Sequence, residues 1–303
     1  MTAEIVSWTS VSYQIRDGFW LKYKSILKRI DMGLPCGAVV GLVGANGAGK
    51  TTLMKLGAGI LSPSRGRVDI HGVAARTAKA RARIGFLTEQ QYLYPNSKLY
   101  EWLEMLGRLS GLSGKTLRYR IDQVADQFDL QPFLHSYMRT ISKGQLQRAG
   151  ISQVFLHEPD ILFLDEPMSG LDPYWRKRLM DILLKFKQGG GSILFSSHIL
   201  YDVEKLADTI YVIEKGAMKD SDILRSRFQD IQAYEIEYRC ADPVNPSELN
   251  AADDVIPLPN GHFQISISPE KKNEWLQLSV SGAVDIIELR AVQLDIQDTL
   301  RGN

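Results

Sequence analysis

The sequence predicts an α/β fold that has a core of parallel strands, an antiparallel β-subdomain, a helical insertion and a small C-terminal α+β extension. Two apolar runs, 38–43 and 161–164, have the composition of buried strands, and the first leads through a glycine-rich loop into a helix. Between these runs, apolar residues recur at helical spacing from 97 to about 128. Beyond about residue 222, prolines interrupt short strands. These observations predict the fold class and the order of its parts along the chain.

The glycine-rich loop, 44–52, fits the phosphate-binding pattern G-x-x-x-x-G-K-[ST]. Its glycines let the backbone turn tightly and bring N–H groups against phosphate oxygens, and the helix N-terminus adds a positive dipole. Lys50 is placed to reach the β- and γ-phosphates, and the Thr51 hydroxyl to ligate Mg²⁺. With its flanking strand and helix, the loop predicts a P-loop NTPase core, in which the nucleotide contacts are Gly44, Ala45, Asn46, Gly47, Ala48, Gly49, Lys50, Thr51 and Thr52.

Length and composition limit the possible number of domains, the classes of binding partner and the cellular compartment. A chain of 303 residues can form one large domain or two modest ones. Lysine and arginine number 36 against 35 acidic residues, and this net charge of +1 does not indicate nucleic acid or an anionic membrane surface as a partner. Cys36 and Cys240 are far apart and form neither a disulfide framework nor a metal site, which favours a reducing cytoplasm. The sequence carries no secretory signal and no run of about 20 apolar residues, so we expect another chain to hold it at any membrane.

The β-subdomain and the helical insertion follow from local patterns. Alternating residues over 4–13 predict a strand that pairs with 26–32, and further short strands are predicted at 67–70 and 84–87. The helical insertion, about 97–157, begins with two helices whose apolar stripes are interpreted as core packing. Its last helix opens at Ser142, because Gln145 three residues later completes a capping box, and is predicted to run to about His157.

The remaining elements complete the core and the extension. Asp172 followed by Pro173 predicts the start of a helix that runs to about Lys187. A buried strand over 192–196 ends near His198, and 209–214 begins a closing hairpin. The extension is predicted to contain two strands, a helix and an edge strand, at 233–238, 262–267, 269–278 and 286–296.

Two carboxylates follow the second apolar strand. A carboxylate at the carboxyl end of a parallel strand projects into the same crevice as a phosphate loop. Asp165 can therefore hold Mg²⁺, directly or through water, and Glu166 can orient and deprotonate a water aimed at the γ-phosphate. The pattern is moderately specific by itself and much stronger downstream of a phosphate loop.

Taken together, the motifs resemble the nucleotide-binding subunit of an ATP-binding cassette (ABC) transporter over roughly 11–216. The loop 44–52 resembles the Walker A motif, and 161–166 resembles Walker B with its catalytic glutamate. The segment 169–172 resembles the D-loop, and His198 resembles the switch histidine that follows a strand. The segment Ile141-Ser142-Lys143-Gly144-Gln145 resembles the family signature L-S-G-G-Q, although Ile stands for Leu and Lys for the first Gly.

The resemblance implies an ATPase that uses ATP and Mg²⁺, with Glu166 and His198 as catalytic residues. It also implies head-to-tail packing of two chains, in which Ser142, Gly144 and Gln145 of one chain meet the γ-phosphate held by Lys50 of the other. One set of motifs is half of such a unit. We therefore expect a homodimer or a pairing with a paralogous cassette.

Two binding positions depart from the family pattern. At the Q-loop, Glu89 stands where Gln is usual and Gln90 follows, so we take this pair as the equivalent and expect Gln90 to contact nucleotide and Mg²⁺. Tyr13 occupies the position of the adenine-stacking aromatic residue, with Trp20 and Tyr23 as rivals.

The sequence therefore predicts an ABC ATPase domain over 1–221 and an accessory α+β region over 222–303. The expected function is ATP hydrolysis that energises a separate integral membrane permease, with the ATPase bound to the cytoplasmic face of the membrane through that permease. Lys143 and the extension, in which 294–298 resembles a motif of exporter-type cassettes, favour export. The alternatives are a non-transport ABC ATPase acting on ribosomes or DNA, and a sensor that uses the cassette as an ATP switch; no nucleic-acid partner is expected for the favoured function.

Overall fold

The computed structural model describes residues 3–17, 22–89, 94–219, 233–239, 255–259, 261–280 and 284–292. Contacts divide the chain into two compact units, Met1–Lys219 and Asp220–Asn303. The helices and strands of the first unit are β1 (Glu4–Asp17), β2 (Lys22–Pro35), β3 (Val39–Val43), α1 (Lys50–Gly57), β4 (Arg65–Ile70), β5 (Val73–Ala74), α2 (Ala78–Arg81), β6 (Ile84–Leu87), α3 (Leu99–Leu109), α4 (Gly114–Gln127), α5 (Lys143–Ser152), β7 (Ile161–Asp165), α6 (Pro173–Gln188), β8 (Ser192–Ser197), α7 (Leu200–Leu206), β9 (Thr209–Glu214) and β10 (Ala217–Lys219).

A six-stranded sheet forms the centre of this unit, with strand order β10-β9-β3-β8-β7-β6. The five strands from β9 to β6 are parallel, and β10 pairs antiparallel with β9. Every residue of β3, β7 and β8 is buried, as expected for strands that are covered on both faces. Only β8 separates β3 from β7, so the segments that follow these three strands meet at one edge of the sheet.

The antiparallel subdomain is a four-stranded sheet of order β2-β1-β4-β5. Pairing of β1 with β2 confirms the predicted hairpin, and several register shifts interrupt it. Trp8 of β1 joins this subdomain to the core, because its indole N–H donates to the carbonyl of Leu53 in α1 and its ring packs edge-on against Phe163. The sheet is thereby anchored to the helix that follows the phosphate loop.

The helical insertion matches its prediction except at its last helix. The apolar stripes of α3 and α4 are buried, including Trp102. Helix α5 ends at Ser152 and continues as a 3₁₀ turn to Phe155, so the prediction of one helix to about His157 was wrong. The Ser152 hydroxyl donates back to the carbonyl of Ala149, and the side chain of Gln153 donates to a carbonyl of β6, which favours the tighter turn here.

The second unit contains β11 (Ala233–Arg239), β12 (Ile256–Pro257), β13 (Phe263–Ile267), α8 (Lys272–Val280) and β14 (Asp285–Val292). Its antiparallel sheet has the order β12-β13-β11-β14, which confirms the predicted edge position of the last strand among the described residues. Trp275 of α8 packs on Tyr238 with ring centroids 4.9 Å apart, at the centre of a small apolar core. The exporter-like segment 294–298 and Cys240 lie outside the described residues.

Candidate nucleotide site

The phosphate loop is held in shape by backbone geometry at Gly49, which precedes α1. Its φ angle is 115°, in the left-handed region that favours glycine, and an added Cβ would come within 2.7 Å of Leu27 Cδ2. The loop borders a cavity of about 530 Å³. The cavity is lined by Lys24, Ile26, Ala45, Asn46, Gly47, Gly49, Lys50, Thr51, Thr52, Glu89, Asp165 and Glu166.

Lys50 places a buried cation between the loop and the end of β7. Its side chain is 7% exposed, and Nζ donates to the carbonyl oxygen of Gly44 at 2.5 Å. The same nitrogen lies 3.9 Å from Oε1 of Glu166. The ammonium group is therefore fixed at the wall of the cavity, where a phosphate oxygen could accept one of its protons.

Asp165 lies at the centre of a buried network of oxygen atoms. Its Oδ2 accepts from the Thr51 hydroxyl at 2.5 Å, and its Oδ1 accepts from the Ser196 hydroxyl at 2.6 Å. Carboxylate and hydroxyl oxygens are the ligands that Mg²⁺ prefers, so the donor set of Thr51 and Asp165 fits this ion. Within the described ranges, no group of three or more His, Cys, Asp and Glu side chains could hold a metal, so phosphate and water oxygens would have to complete the coordination.

Glu166 follows Asp165 directly, but its side chain points to a different set of partners. Its φ angle of 51° lies in the left-handed region, and its backbone N–H donates to the Ser196 hydroxyl at 3.0 Å. Oε2 is 2.8 Å from Nδ1 of His198, whereas Oε1 is buried and has no hydrogen-bond partner among the described residues. One carboxylate oxygen is therefore held by histidine, and the other is available to accept a proton.

The predicted signature residues lie at the N-terminus of α5. Ser142 caps this helix, and its hydroxyl accepts from the backbone N–H of Gln145 while the Gln145 side chain accepts from the backbone N–H of Ser142. The predicted capping box is therefore confirmed. Ser142, Gly144 and Gln145 are not among the residues that line the cavity of their own chain, as far as the structure describes it.

Of the residues predicted to contact adenine or to form the Q-loop, some lie in the described structure and others do not. Tyr13 pairs with Leu27 across the β-subdomain and packs against the core, and it does not belong to the described lining of the cavity. Gln90 and Trp20 lie outside the described residues, while Glu89 does line the cavity. The sequence analysis did not predict that Lys24 and Ile26 of β2 line the cavity, because a strand residue that borders a cavity carries no motif.

A buried carboxylate behind the site was also missed. Asp202 of α7 is 2% exposed, and its Oδ2 has no hydrogen-bond partner among the described residues. Burial raises the pKa of Asp202; the nearby charges of Arg176 and His198 oppose this shift, and that of Glu166 adds to it. Its only sequence signal was an acidic residue four positions after His198.

Comparison with known proteins gives a consistent family assignment. The family model described as ABC transporter matches residues 27–169. An uncharacterized ABC transporter ATP-binding protein of Nostoc sp. is 37% identical over 239 residues, which cover 78% of this chain and 71% of that protein. The daunorubicin resistance ATP-binding protein DrrA3 of Streptomyces coeruleorubidus is 34% identical over 204 residues, covering 66% of this chain and 65% of that protein. A solved ATP-binding subunit of an ABC transporter matches with a TM-score of 0.66 and 29% identity, covering 73% of this chain and 92% of the other.

The chain therefore belongs to the ABC transporter family, and it is an ATP-binding subunit and ATPase of that family. The phosphate loop, the Asp165 network and the Glu166–His198 pair lie at one edge of the sheet, on the fold shared with the solved ATP-binding subunit. A shorter match, to a AAA domain described as a putative AbiEii toxin, covers residues 135–204.

Proposed function

We propose that this chain hydrolyses ATP to drive export of a substrate through a separate integral membrane permease, to which it binds at the cytoplasmic face of the membrane. The relative DrrA3 is named for resistance to daunorubicin, a function consistent with export. In the described part of the chain, the helices are too short or too polar to cross a membrane. The segment 90–102, of which residues 90–93 lie outside the described residues, would pass motion to the permease.

Glu166 carries the chemical part of this proposal. Its Oε1 is buried without a hydrogen-bond partner in the described structure, whereas its Oε2 is held 2.8 Å from His198. A buried carboxylate oxygen that accepts no hydrogen bond in the described structure and lies 3.9 Å from the Lys50 ammonium group is suited to accept a proton from a water molecule that attacks the γ-phosphate. Lys50 would hold the β- and γ-phosphates, and His198 would fix the carboxylate. Mg²⁺, held by Thr51 and Asp165, would neutralise charge on the phosphates.

A second cassette would complete the site. Ser142 accepts a hydrogen bond through its oxygen, so its hydroxyl proton is available to an anion, and the N–H groups of the first turn of α5 face outward as at any helix N-terminus. These groups do not line the described cavity of their own chain. We propose that they reach the γ-phosphate bound by a partner cassette, either a second copy or a paralogue.

Replacement of Glu166 tests the hydrolytic role. We expect E166Q to bind ATP with nearly unchanged affinity and to form an ATP-dependent dimer, because glutamine keeps the shape of the side chain but cannot take the proton. Turnover should fall by roughly a thousandfold, within the range lost when a general base is removed. Steady-state hydrolysis and light scattering with and without ATP measure the two effects. Retained turnover would remove Glu166 from the role of base.

The permease is tested by recovery of the tagged protein from detergent-solubilised native membranes, with bound chains identified by mass. An integral membrane protein in near-equal amount would support the transport function, and its identity would indicate the substrate class. Recovery with ribosomes, with DNA or alone would contradict it. Recovery with ribosomes or DNA would favour the non-transport alternative.

A further inference from the structure

The aromatic ring of Trp175 is contacted by two arginines that come from different helices. The Arg148 guanidinium of α5 is centred 4.3 Å from the ring centroid, and that of Arg178 of α6 is 5.1 Å away. The tryptophan is only 8% exposed, so its ring is largely shielded from solvent, whereas the Arg178 side chain is 36% exposed. Cation–π contacts are stronger when they are desolvated. The Arg148 contact therefore ties α5 to α6 at a specific point.

Arg148, a residue of α5, is also tied to the end of α4. Its Nη1 donates to the carbonyl of Phe128 at 2.9 Å and to that of Asp129 at 3.3 Å, at the end of α4. It lies six residues after Ser142, the N-cap of the same helix. Because α5 is a single ten-residue helix, a displacement of its N-terminus moves Arg148 as well.

Trp175 is connected in the other direction to the loop that begins at Glu166. Its backbone N–H donates at 2.8 Å to the side chain of Asp172, the N-cap of α6. Within the loop, the N–H of Ser169 donates to the carbonyl of Glu166 at 3.1 Å, and Arg176 reaches the carbonyl of Met168. The segment from Glu166 to Trp175 is therefore a short chain of local contacts.

We propose that Trp175 is a positioning residue, which couples the N-terminus of α5 to the alignment of Glu166 through its stack on Arg148. This inference rests on the proposed function, because it requires α5 to contact phosphate in the closed dimer. Binding of the α5 N-terminus to a phosphate on the partner chain fixes Arg148, and Arg148 fixes the start of α6 and the loop before it. The carboxylate of Glu166 is then aligned only when the dimer is closed.

The test compares Trp175→Leu, Trp175→Phe and Arg148→Met with the wild type. Leucine fills part of the space but cannot stack with a cation, and methionine keeps much of the length of arginine without its charge. We expect W175L and R148M to lower kcat for ATP about tenfold, as expected when a shielded cation–π contact and the alignment it provides are lost. Affinity of the isolated chain for ATP, measured by titration, should stay within about twofold because the phosphate loop is untouched. W175F should recover most of kcat.

Two substitutions on α6, the helix that contains Trp175, serve as controls. Arg178→Met removes the other cation from the same ring; Arg178 belongs to α6, as Trp175 does, and its ion pair with Asp129 at 3.0 Å is lost with it. Tyr174→Leu removes an exposed aromatic ring that also touches Trp175. Both controls should keep kcat close to that of the wild type. Thermal unfolding of each variant verifies that it is folded, and R148M keeps the test decisive if W175L does not fold.

The result separates this inference from the proposed function. If E166Q forms an ATP-dependent dimer and the E166Q/W175L double variant needs a higher ATP concentration to do so, the coupling is supported. If W175L and R148M match their controls while the wild type hydrolyses ATP and E166Q dimerises, the coupling is wrong and the function stands. If the wild type does not hydrolyse ATP and E166Q does not dimerise, the proposed function itself fails.

Discussion

The hydroxyl of Thr51 donates to Oδ2 of Asp165 over 2.5 Å, although 114 positions separate the two residues. Thr51 lies in the first turn of α1, and Asp165 is the last residue of β7. A single strand, β8, lies between β7 and the strand that leads into α1. Sheet order thus brings together two oxygen ligands of the type that Mg²⁺ requires.

Asp165→Asn should weaken the binding of Mg²⁺–ATP by at least about tenfold, because it removes the charge from the proposed metal ligand while keeping its shape. Affinity for ATP in the presence of EDTA should change little, since Lys50 and the loop backbone remain. Calorimetric titration under both conditions measures the difference. An equal loss of affinity with and without Mg²⁺ would contradict the metal role.

Lys50→Ala should reduce nucleotide affinity about ten- to a hundredfold, because charge-assisted hydrogen bonds to phosphate are lost. Lys55→Ala is the matched control, since Lys55 lies in the last turn of the same helix and does not belong to the described lining of the cavity. Titration with ADP and ATP measures both variants. Equal affinities for K50A and K55A would contradict the assignment of Lys50.

Mixing two inactive variants tests the head-to-tail arrangement. Gly144→Asp adds a negative charge at the N-terminus of α5, and an added Cβ there meets no described atom within 4 Å, so the variant should fold. We expect G144D and K50A each to lack hydrolysis. In an equal mixture half of the dimers are mixed and have one of two sites intact, so about a quarter of wild-type activity should return if the sites act independently.

Gly144→Ala is the control for this experiment, because it occupies the same open space without the charge. It should retain much more activity than G144D. A mixture of G144D and K50A that is no more active than the two variants alone, under conditions in which the chains exchange partners, would argue against a shared site.

Asp202→Asn should stabilise the protein at neutral pH and above. Burial raises the folded-state pKa of Asp202 above the ordinary value of 3.8, so its favourable contribution is complete only below that value and is lost as pH rises through the folded-state pKa. Asparagine has no charge to bury. The thermal midpoint of D202N should exceed that of the wild type at pH 8, and the difference should shrink as the pH approaches 4. A lower midpoint for D202N at pH 8 would show that the carboxylate is stabilised by its surroundings.

Local patterns predicted much of the fold. The loop before α1, the capping box of Ser142 and Gln145 and the Asp172–Pro173 helix start depend on neighbours within a few residues, and all three elements form as expected. The buried strand β7 was recognisable because four consecutive apolar residues precede its aspartate. The end of α5 could not be recognised from the sequence, because it depends on a contact from Gln153 to a distant strand.

Local sequence patterns did not predict the contacts between segments that are distant in the chain. Tyr13, which the sequence predicts to stack on adenine, pairs with Leu27 of β2 and packs on the core, whereas Ile26 of β2 lines the cavity. The stack of Arg148 on Trp175 likewise joins two helices that are separated in sequence by a strand.

The sequence by itself determined the P-loop, the carboxylates at the end of β7 and the cap of α5, because each is encoded by adjacent residue types whose chemistry acts locally. Only the tertiary structure decided that Thr51 meets Asp165, that His198 meets Glu166, and that Asp202 is buried behind them. The physical reason is that strand order and register set these distances, and they arise from packing of the whole core rather than from any single segment.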